Sequence, residues 1–319
     1  MNKINIGIIG TSEIAFRRFL PSLKKCEKFR YIGVASRHIK NTDKFIKEYG
    51  GKGFGSYEEI INDKEIEALY IPLPPALHYK WAKEALKKGK HVLLEKPSTT
   101  IFKDTQDLVS LADSLNLALD ENYMFKYHKQ LDFIKELIKK DSIGELRLVR
   151  IQFGFPMREK NDFRYTKELG GGALLDCGGY TINLACNLLG SNLEVKTSKL
   201  NYKRGFEVDI YGSAVLENKS GLVAQISFGM DNNYKCELEI WGNKGYIVAP
   251  RIFTAPPNFK AQVICKTNNE EKIFELDDDQ FLNSIENYYK CIRNDKIRKS
   301  SYEELINQSK LVEKIRLGF

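Results

Sequence analysis

The sequence lacks any long apolar run and any leader-like amino terminus. No apolar stretch approaches the roughly 20 residues that a membrane helix needs, although hydrophobic residues make up 42% of the chain. From Met1 the chain runs straight into an apolar segment at Ile4, without a basic region, an apolar leader core or a small-residue cleavage site. We therefore expect a soluble cytoplasmic protein that does not associate with membranes.

Histidine is scarce and the cysteines are scattered. The chain has four histidines and six cysteines. Neither type occurs at the spacing of zinc ligands, and no two cysteines form a C-x-x-C pair. We expect reduced thiols and no metal. The formal net charge is +8, but the basic residues are interspersed with carboxylates rather than massed in one run. This pattern argues against nucleic-acid binding and is compatible with a small anionic ligand.

Two domains are expected, because 319 residues exceed the usual size of one domain. Over residues 1–123 short apolar strands alternate with helical patterns, which is typical of a doubly wound parallel (Rossmann) sheet. Over residues 124–319 strands with alternating polar and apolar residues predominate, which is typical of an antiparallel sheet with one solvated face. The sequence thus predicts an α/β protein whose C-terminal α+β domain contains a large, mostly antiparallel open sheet.

Two S-x-x-E patterns predict helix starts, one at Ser56 and one at Ser301. The last predicted helix, residues 301–316, is expected to pack back on the N-terminal domain. The strands expected from the apolar patterns are 4–10, 31–36, 67–72, 91–95, 117–121, 145–155, 206–216, 222–228, 236–241 and 246–249.

A phosphate-binding turn follows the first predicted strand. The segment matches G-x-G-x-x-A except that Ser12 replaces the second glycine. Gly10 permits the tight turn, and the following helix offers unpaired N–H groups to a pyrophosphate. Because the turn stands at the first strand-to-helix junction, it predicts a dinucleotide site made by Gly10, Thr11, Ser12, Glu13 and Ile14.

The end of the second strand indicates which dinucleotide is bound. An NAD site usually has a carboxylate there for the ribose hydroxyls. This chain has Ser36, Arg37 and His38 instead. A hydroxyl followed by a guanidinium suits the 2′-phosphate of NADP, because arginine pairs with phosphate through a planar fork. We therefore expect NADP(H) as the cofactor.

Three side chains form a candidate catalytic set. Lys96 follows a buried strand and precedes Pro97, at the sheet edge where ligands bind. Asp176 and Tyr180 stand four residues apart and would share one face of a helix. Gly178 and Gly179 lie between them and weaken the helix, which suggests that something approaches the backbone closely.

These groups suit carbonyl reduction. A hydride passes from nicotinamide to a carbonyl carbon while the oxygen takes a proton from an acid. Tyr180 would supply that proton if cationic Lys96 lowers the pKa of the phenol. Asp176 would orient a substrate hydroxyl or the lysine.

The chain resembles the glucose-fructose oxidoreductase and inositol dehydrogenase (Gfo/Idh/MocA) family over essentially its whole length. The resemblance is carried by the Gly10 turn, residues 71–74 with His78, residues 95–97 and the glycine-rich segment 170–180. Tyr180 stands where many members have histidine, as in the branch of nucleotide-sugar 3-ketoreductases and dihydrodiol dehydrogenases. Residues 17–23, 36–37, 125–130 and 162–165 are similar to the 3-ketoreductases, with Lys129 in place of an expected proline.

The resemblance implies NADPH as donor, a nucleotide-linked 3-keto sugar as acceptor, and a homodimer or homotetramer formed through the C-terminal sheet. It also implies that Leu73, Pro74 and Glu95 line the nicotinamide side and that His78 and Arg164 approach the cofactor. Tyr127 and Tyr234 are additional candidates for substrate binding.

Two other functions stay open on the sequence. One is an NAD(P)-dependent dehydrogenase of free sugars, cyclitols or trans-dihydrodiols. The other is a non-catalytic NADPH-binding sensor, against which the presence of Lys96, Asp176 and Tyr180 argues.

Overall fold

The computed structural model describes residues 3–318, which form two compact units. The first comprises the described residues up to Asn122 together with Phe281–Ile306, and the second comprises Tyr123–Gln280 with the described residues from Asn307 onward. That residues 1–123 and 124–319 form two separate domains stays a prediction.

The first unit is built on a parallel sheet. Its strand order is β3-β2-β1-β4-β5-β6, so the order reverses at β1 and leaves a crevice at the carboxyl ends of β1 and β4. The strands are β1 Ile4–Ile9, β2 Phe29–Ala35, β3 Lys52–Phe54, β4 Ala68–Ile71, β5 His91–Leu94 and β6 Leu119–Glu121. All four residues of β4 are buried, as expected for a strand covered by helices on both faces.

Helices cover this sheet, and other helices follow in the C-terminal part of the chain. The helices of this unit are α1 Leu20–Lys25, α2 Asp43–Tyr49, α3 Tyr57–Asn62, α4 His78–Lys87 and α5 Phe102–Ser114. The second unit contains α6 Lys129–Lys139 and α7 Gly179–Leu189. The last two described helices along the chain are α8 Gln280–Arg293 and α9 Asp295–Leu317. Tyr302 and Leu305 of α9 belong to the core of the first unit, together with Leu69 and Leu94.

The second unit contains an eight-stranded sheet in the order β14-β13-β12-β11-β7-β10-β9-β8. Its pairs are antiparallel except β7 with β10. The strands are β7 Leu146–Gly154, β8 Glu194–Tyr202, β9 Asp209–Glu217, β10 Val223–Gly229, β11 Lys235–Gly242, β12 Gly245–Ala249, β13 Ala261–Thr267 and β14 Glu271–Leu276. Helix α7 packs on β7 and β10 and α6 packs on β13, which leaves the opposite face of the sheet to alternate polar residues.

The predicted fold class is confirmed, and several element bounds are corrected. Ser56 caps α3 as expected, since its hydroxyl accepts from the Glu59 N–H at 3.1 Å. The helix start expected at Ser301 is wrong, because α9 begins at Asp295 and Asn294 accepts from the Ile297 N–H at 3.2 Å. Ser301 instead lies inside α9 and donates to the Leu119 carbonyl at 3.0 Å. The strand expected over 206–216 begins at Asp209, and β3, β8, β13 and β14 were not expected.

Candidate active site

The first turn of the parallel sheet has the geometry of a phosphate cradle. Gly10 has φ 108°, and a Cβ there would lie 2.6 Å from Leu73 Cδ2. Glycine is therefore required both by the backbone and by the close approach of Leu73. Ser12 caps the helical segment that begins at Glu13, because its Oγ accepts from the Ala15 N–H at 3.2 Å. The hydroxyl proton of Ser12 stays available for a phosphate oxygen.

The Glu13 side chain is engaged elsewhere. Its carboxylate forms ion pairs with Lys44 at 2.6 Å and Arg17 at 2.7 Å, and the hydrogen bond from Lys44 lowers the pKa of Glu13. An anion at this turn would therefore meet the Glu13 N–H and not a free carboxylate, which favours phosphate binding.

The residues after β2 form a polar corner. Ser36 is buried, and its Oγ accepts from the His38 N–H at 3.3 Å. Arg37 and His38 are exposed, and the positive charge of Arg37 acts to lower the pKa of the Tyr57 hydroxyl. Burial raises the pKa of Tyr57, so this hydroxyl stays protonated and neutral. A cation and a hydroxyl at this corner fit a ribose phosphate.

Glu95, the residue before Lys96, belongs to a network of hydrogen bonds within the first unit. Glu95 Oε1 accepts from the Tyr70 hydroxyl at 2.6 Å and from Asn122 Nδ2 at 2.7 Å. The Asn122 Oδ1 in turn accepts from the Ser284 hydroxyl at 2.6 Å. Burial raises the pKa of Glu95, whereas these hydrogen bonds and the charge of Lys96 act to lower it. This hydrogen-bond network fixes the segment that follows β5, and that segment contains Lys96.

Two further contacts hold the loops beside Lys96. His78 is fully buried, with Nδ1 2.8 Å from the Pro97 carbonyl and Nε2 2.7 Å from the Leu73 carbonyl. Burial lowers the pKa of His78 to about 4, while the two carbonyls act to raise it. A neutral ring donates to only one of these carbonyls, and the protonated ring donates to both. Glu121 Oε1 accepts from the Ser98 N–H at 2.6 Å. His78 therefore links the loop after β4 to the loop after β5.

In the second unit a glycine-rich turn leads into a π-helical turn, Leu174–Gly178, and then into α7. Gly172 has φ 120°, and a Cβ there would lie 2.4 Å from Asp209 Oδ1. Asp209 Oδ2 accepts from the Leu174 N–H at 2.7 Å, and burial raises the pKa of Asp209. Asp209 thus anchors the start of the segment that carries Asp176 and Tyr180.

Asp176 is paired with an arginine. Its Oδ2 accepts from Arg164 Nε at 2.8 Å, and Asp162 Oδ1 accepts from Arg164 Nη1 at 3.1 Å. Burial acts to lower the pKa of Arg164, but Asp176 and Asp162 outweigh it and raise that pKa. The Asp176 carboxyl group is therefore held in a fixed position by this charge-assisted hydrogen bond.

Tyr180 lies in an aromatic cluster and is 7% exposed. Its ring centroid is 5.2 Å from that of Tyr123, 5.2 Å from Phe153 and 5.5 Å from Phe253. Its hydroxyl lies 3.8 Å from Met124 Sδ. This packing restricts the ring to one orientation.

The glycines before Tyr180 are explained by close packing. A Cβ at Gly179 would lie 2.2 Å from the Tyr123 hydroxyl oxygen, and a Cβ at Gly178 would lie 3.2 Å from the Phe228 ring. The expected close approach to this backbone is confirmed, and the approaching groups are protein side chains.

The remaining candidates lie in the same unit. Tyr127 is half-buried, and Lys126 Nζ lies 5.0 Å from the centre of its ring. Tyr234 is 44% exposed, and its hydroxyl is 2.6 Å from Thr254 Oγ1. Lys96 belongs to the first unit and Asp176, Tyr180, Arg164 and Tyr234 to the second. The roles assigned to these residues stay predictions.

Comparison with known proteins identifies the family. The model of the Gfo/Idh/MocA oxidoreductase family, with an NAD-binding Rossmann fold, matches residues 4–123, and the model of the Gfo/Idh/MocA C-terminal domain matches residues 132–248. The chain belongs to the Gfo/Idh/MocA oxidoreductase family. The family expected from the sequence is thereby confirmed.

Similar members of the Gfo/Idh/MocA family match along the whole chain. A dTDP-3,4-didehydro-2,6-dideoxy-α-D-glucose 3-reductase from Actinomadura kijaniata is 34% identical over 99% of this chain and 96% of its own length. The enzyme of the same name from Saccharopolyspora spinosa is 35% identical over 98% of this chain and 96% of its own length. A crystal structure of a 3-ketoreductase from Actinomadura kijaniata, in complex with NADP and TDP-benzene, has a TM-score of 0.96 at 34% identity and covers 99% of this chain and 98% of that chain.

Sequence reasoning missed the residues that hold this Gfo/Idh/MocA site in place. Glu121 is the last residue of β6 and Asn122 follows it, so a polar pair at the end of a predicted strand was an available signal. Asp209 gave a weaker signal, because only the fold shows that this carboxylate is buried and reaches the Leu174 N–H. Among residues 3–318, no group of three or more histidine, cysteine, aspartate and glutamate side chains is placed to hold a metal ion.

Proposed function

We propose that this protein is an NADPH-dependent ketoreductase that reduces the C3 keto group of a nucleotide-linked keto-deoxysugar. The full-length similarity to dTDP-keto-deoxyglucose 3-reductases carries the proposal, and the sequence motifs that contain Lys96, Asp176 and Tyr180 support it. The reaction class is the transfer of a hydride between NADP and a CH–OH or C=O group.

The first unit has residues that fit NADP. The cradle at Gly10, the helix start capped by Ser12 and the N–H groups of Thr11, Glu13 and Ile14 fit a pyrophosphate. Ser36, Arg37 and His38 would hold the 2′-phosphate, and Leu73, Pro74, His78 and Glu95 would line the nicotinamide side. The reduced cofactor supplies the hydride when it is bound.

The protein's own residues would supply the proton and the electrostatic support. Tyr180 donates its phenolic proton to the carbonyl oxygen as that oxygen becomes an alkoxide. Lys96 stabilises the phenolate that remains, because a cation nearby favours the charged form. Asp176, held by Arg164, orients a substrate hydroxyl. Tyr127 and Tyr234 provide further substrate contacts.

The direct test is a steady-state assay of NADPH oxidation. We expect turnover with a dTDP-linked 3-keto-deoxysugar and little with free sugars, cyclitols or dihydrodiols. Activity on unlinked polyols alone would instead favour the dehydrogenase alternative. Binding of NADPH without turnover on any carbonyl compound would favour the sensor. Tighter binding of NADH than of NADPH would contradict the role of Ser36 and Arg37.

We also propose a homodimer or homotetramer formed through the outer face of the large sheet. Leu148, Trp241 and Tyr246 lie side by side in register across β7, β11 and β12, and Trp241 is 52% exposed. Such a row suits a self-complementary contact between two copies. Sedimentation equilibrium would measure the mass of the assembly.

The proposed compartment is the cytoplasm, and we propose that nucleic acids and membranes are not partners. The six cysteines are free thiols, which suits a reducing compartment. Among residues 3–318 no helix is long and apolar enough to cross a membrane.

A further inference from the structure

We propose that Arg251, held between the rings of Tyr234 and Phe259, binds the diphosphate of the nucleotide-linked substrate. This inference rests on the proposed function, because a substrate without a nucleotide has no diphosphate to bind. Arg251 is then the positively charged residue of the second unit that recognises the nucleotide part of the substrate.

The Arg251 guanidinium is oriented by its neighbours. Its Cζ lies 4.9 Å from the ring centre of Phe259 and 5.7 Å from that of Tyr234. Its Nε donates to the Thr254 carbonyl at 3.3 Å, while the Thr254 hydroxyl is 2.6 Å from that of Tyr234. The rings and this bond leave both Nη groups for a ligand. A planar fork of N–H donors is the arrangement that suits phosphate oxygens.

The charge of Arg251 is not compensated within the protein. Over residues 3–318 no aspartate or glutamate oxygen lies within 4.0 Å of its guanidinium nitrogens. Arg164, by contrast, is neutralised by two carboxylates, Asp162 and Asp176. Of these two arginines, Arg251 is therefore the one whose positive charge remains for an anionic ligand.

The backbone that carries Arg251 is fixed by side chains from other elements. Buried Gln130 donates to the Ile252 carbonyl at 3.2 Å, and buried Gln280 donates to the Phe253 carbonyl at 3.4 Å. The Cys236 carbonyl accepts from the Ile252 N–H at 3.1 Å. A segment held in this way loses little entropy when a ligand binds.

This segment also lies beside the candidate catalytic tyrosine. The Phe253 ring packs against Tyr180, with centroids 5.5 Å apart. Arg251 is two residues from Phe253, so their Cα atoms are within about 7 Å of each other. In a nucleotide sugar the diphosphate is attached to the anomeric carbon, on the same ring as the carbonyl at C3. The spacing suits a substrate whose sugar reaches Tyr180 while its diphosphate reaches Arg251.

Calorimetric titration of TDP and of thymidine into the NADP-bound protein tests the assignment. Arg251→Ala should weaken TDP binding about 10- to 100-fold, the usual range for a charge-assisted hydrogen bond, and leave thymidine binding unchanged. Arg251→Lys, which keeps the charge and loses the fork, should give an intermediate affinity. The KM for the nucleotide-linked substrate should rise by a similar factor in Arg251→Ala, while kcat stays within about threefold because the reacting carbon is remote from the diphosphate.

Arg293 provides a matched control. Its Cζ lies 5.7 Å from the ring centre of Tyr289, at the end of α8 in the first unit. Arg293→Ala removes a similar cation–π contact and should leave TDP affinity and KM unchanged. Unchanged NADPH affinity and melting temperature in Arg251→Ala would establish that this variant is folded.

The outcomes separate the inference from the proposed function. If the wild-type protein turns over the nucleotide-linked sugar but Arg251→Ala binds TDP within twofold of wild type, the diphosphate assignment is overturned and the proposed function stands. An equal loss of TDP and thymidine affinity would also overturn it, because the charge of Arg251 would then not be recognising phosphate. If the wild-type protein neither binds nucleoside diphosphates nor reduces the linked sugar, both proposals fail.

Discussion

At the scale of single residues, the ion pair with Arg164 fixes the position of the Asp176 carboxyl group. The pair is largely buried, with 19% of the Arg164 side chain and 11% of the Asp176 side chain exposed. Removing one partner of such a pair leaves a charge in a poorly hydrated site, which usually costs more than the pair itself contributes.

The substitution Asp176→Asn tests this contact. It should lower the free energy of unfolding by about 2 kcal/mol, because the buried Arg164 keeps Asp162 but loses the negative charge of its second carboxylate partner. Urea denaturation measures the change. Glu145→Gln is the matched control, because Glu145 pairs with Arg147 at 2.8 Å on the surface, where an ion pair contributes little to stability, and the free energy of unfolding should stay nearly unchanged. Equal effects of the two substitutions would show that the buried pair has no special importance.

A second residue-scale prediction concerns pH. Burial raises the pKa of Glu95, and the hydrogen bonds from Tyr70 and Asn122 act in the opposite direction and limit that rise. Removing one of them in Tyr70→Phe should raise the pKa of Glu95. The charged form is then lost at a higher pH, so the acidic limb of the kcat–pH profile should move upward if the Glu95 anion supports Lys96.

Tyr79→Phe is the control for that profile, because the Tyr79 hydroxyl donates to exposed Asp107 at 2.9 Å. An acidic limb that stays in place in Tyr70→Phe, with kcat reduced equally at every pH, would mean that Tyr70 has a packing role and no electrostatic role.

At the scale of elements, Gly179 determines how α7 meets Tyr123. Alanine usually stabilises a helix interior relative to glycine by about 1 kcal/mol. Gly179→Ala should nevertheless destabilise the protein by about 1 to 3 kcal/mol, because its Cβ would lie 2.2 Å from the Tyr123 hydroxyl oxygen. Tyr123 is 1% exposed and accepts a hydrogen bond from Gln308 Nε2 at 3.2 Å, so it has little room to move.

Thermal unfolding measures that effect, and Gly55→Ala serves as its control. The nearest neighbour of a Cβ at Gly55 would be Glu59 Oε2 at 3.6 Å, an ordinary van der Waals distance, so this substitution should be nearly neutral. Displacement of Tyr123 should also disturb the Tyr180 ring and lower kcat. Stabilisation by Gly179→Ala would contradict the close packing.

The elements also show what the sequence could predict. Long apolar strands such as β1 and β5 were predicted within about two residues, because burial on both faces leaves a continuous apolar run. Strand β3 has three residues and two adjacent glycines before it, so it carries little periodicity. Strand β14 has two acidic residues and one lysine among six, and its edge position rather than its own composition makes it a strand.

For the candidate site, motif residues were predictable and their supports were not. Gly10 and Lys96 follow apolar strands, and local order along the chain reveals them. The contacts of Glu121 with Ser98, of Asp209 with Leu174 and of Gln280 with Phe253 join residues 23 or more apart. Such pairings depend on the folded topology.

At the scale of the whole molecule, buried histidines should make the protein sensitive to acid. Burial lowers the pKa of His78 and of His91 to about 4 and also lowers that of His128. Between about pH 6.5 and 4 the unfolded chain therefore binds more protons than the folded one, so stability falls as the pH falls. For His78 and His91 we expect a loss of roughly 1 to 3 kcal/mol each over this range.

Urea denaturation at several pH values measures this loss. His91→Asn should flatten the acid dependence, because an amide oxygen can still accept from the Ala118 N–H that now bonds Nδ1 at 2.9 Å. His38→Gln should leave the dependence unchanged, since His38 is exposed. An acid slope that is the same in His91→Asn as in the wild type would contradict the assignment.

The central proposal is that Lys96 and Tyr180 act in one proton transfer to the substrate. A double-mutant cycle on kcat with Lys96→Ala and Tyr180→Phe tests it most directly. Each single substitution should lower kcat by about 10² to 10⁴-fold, and the double variant should be little worse than the poorer single variant, because groups that act as a unit are non-additive. Losses that multiply would mean that the two residues act independently, and the account would be wrong.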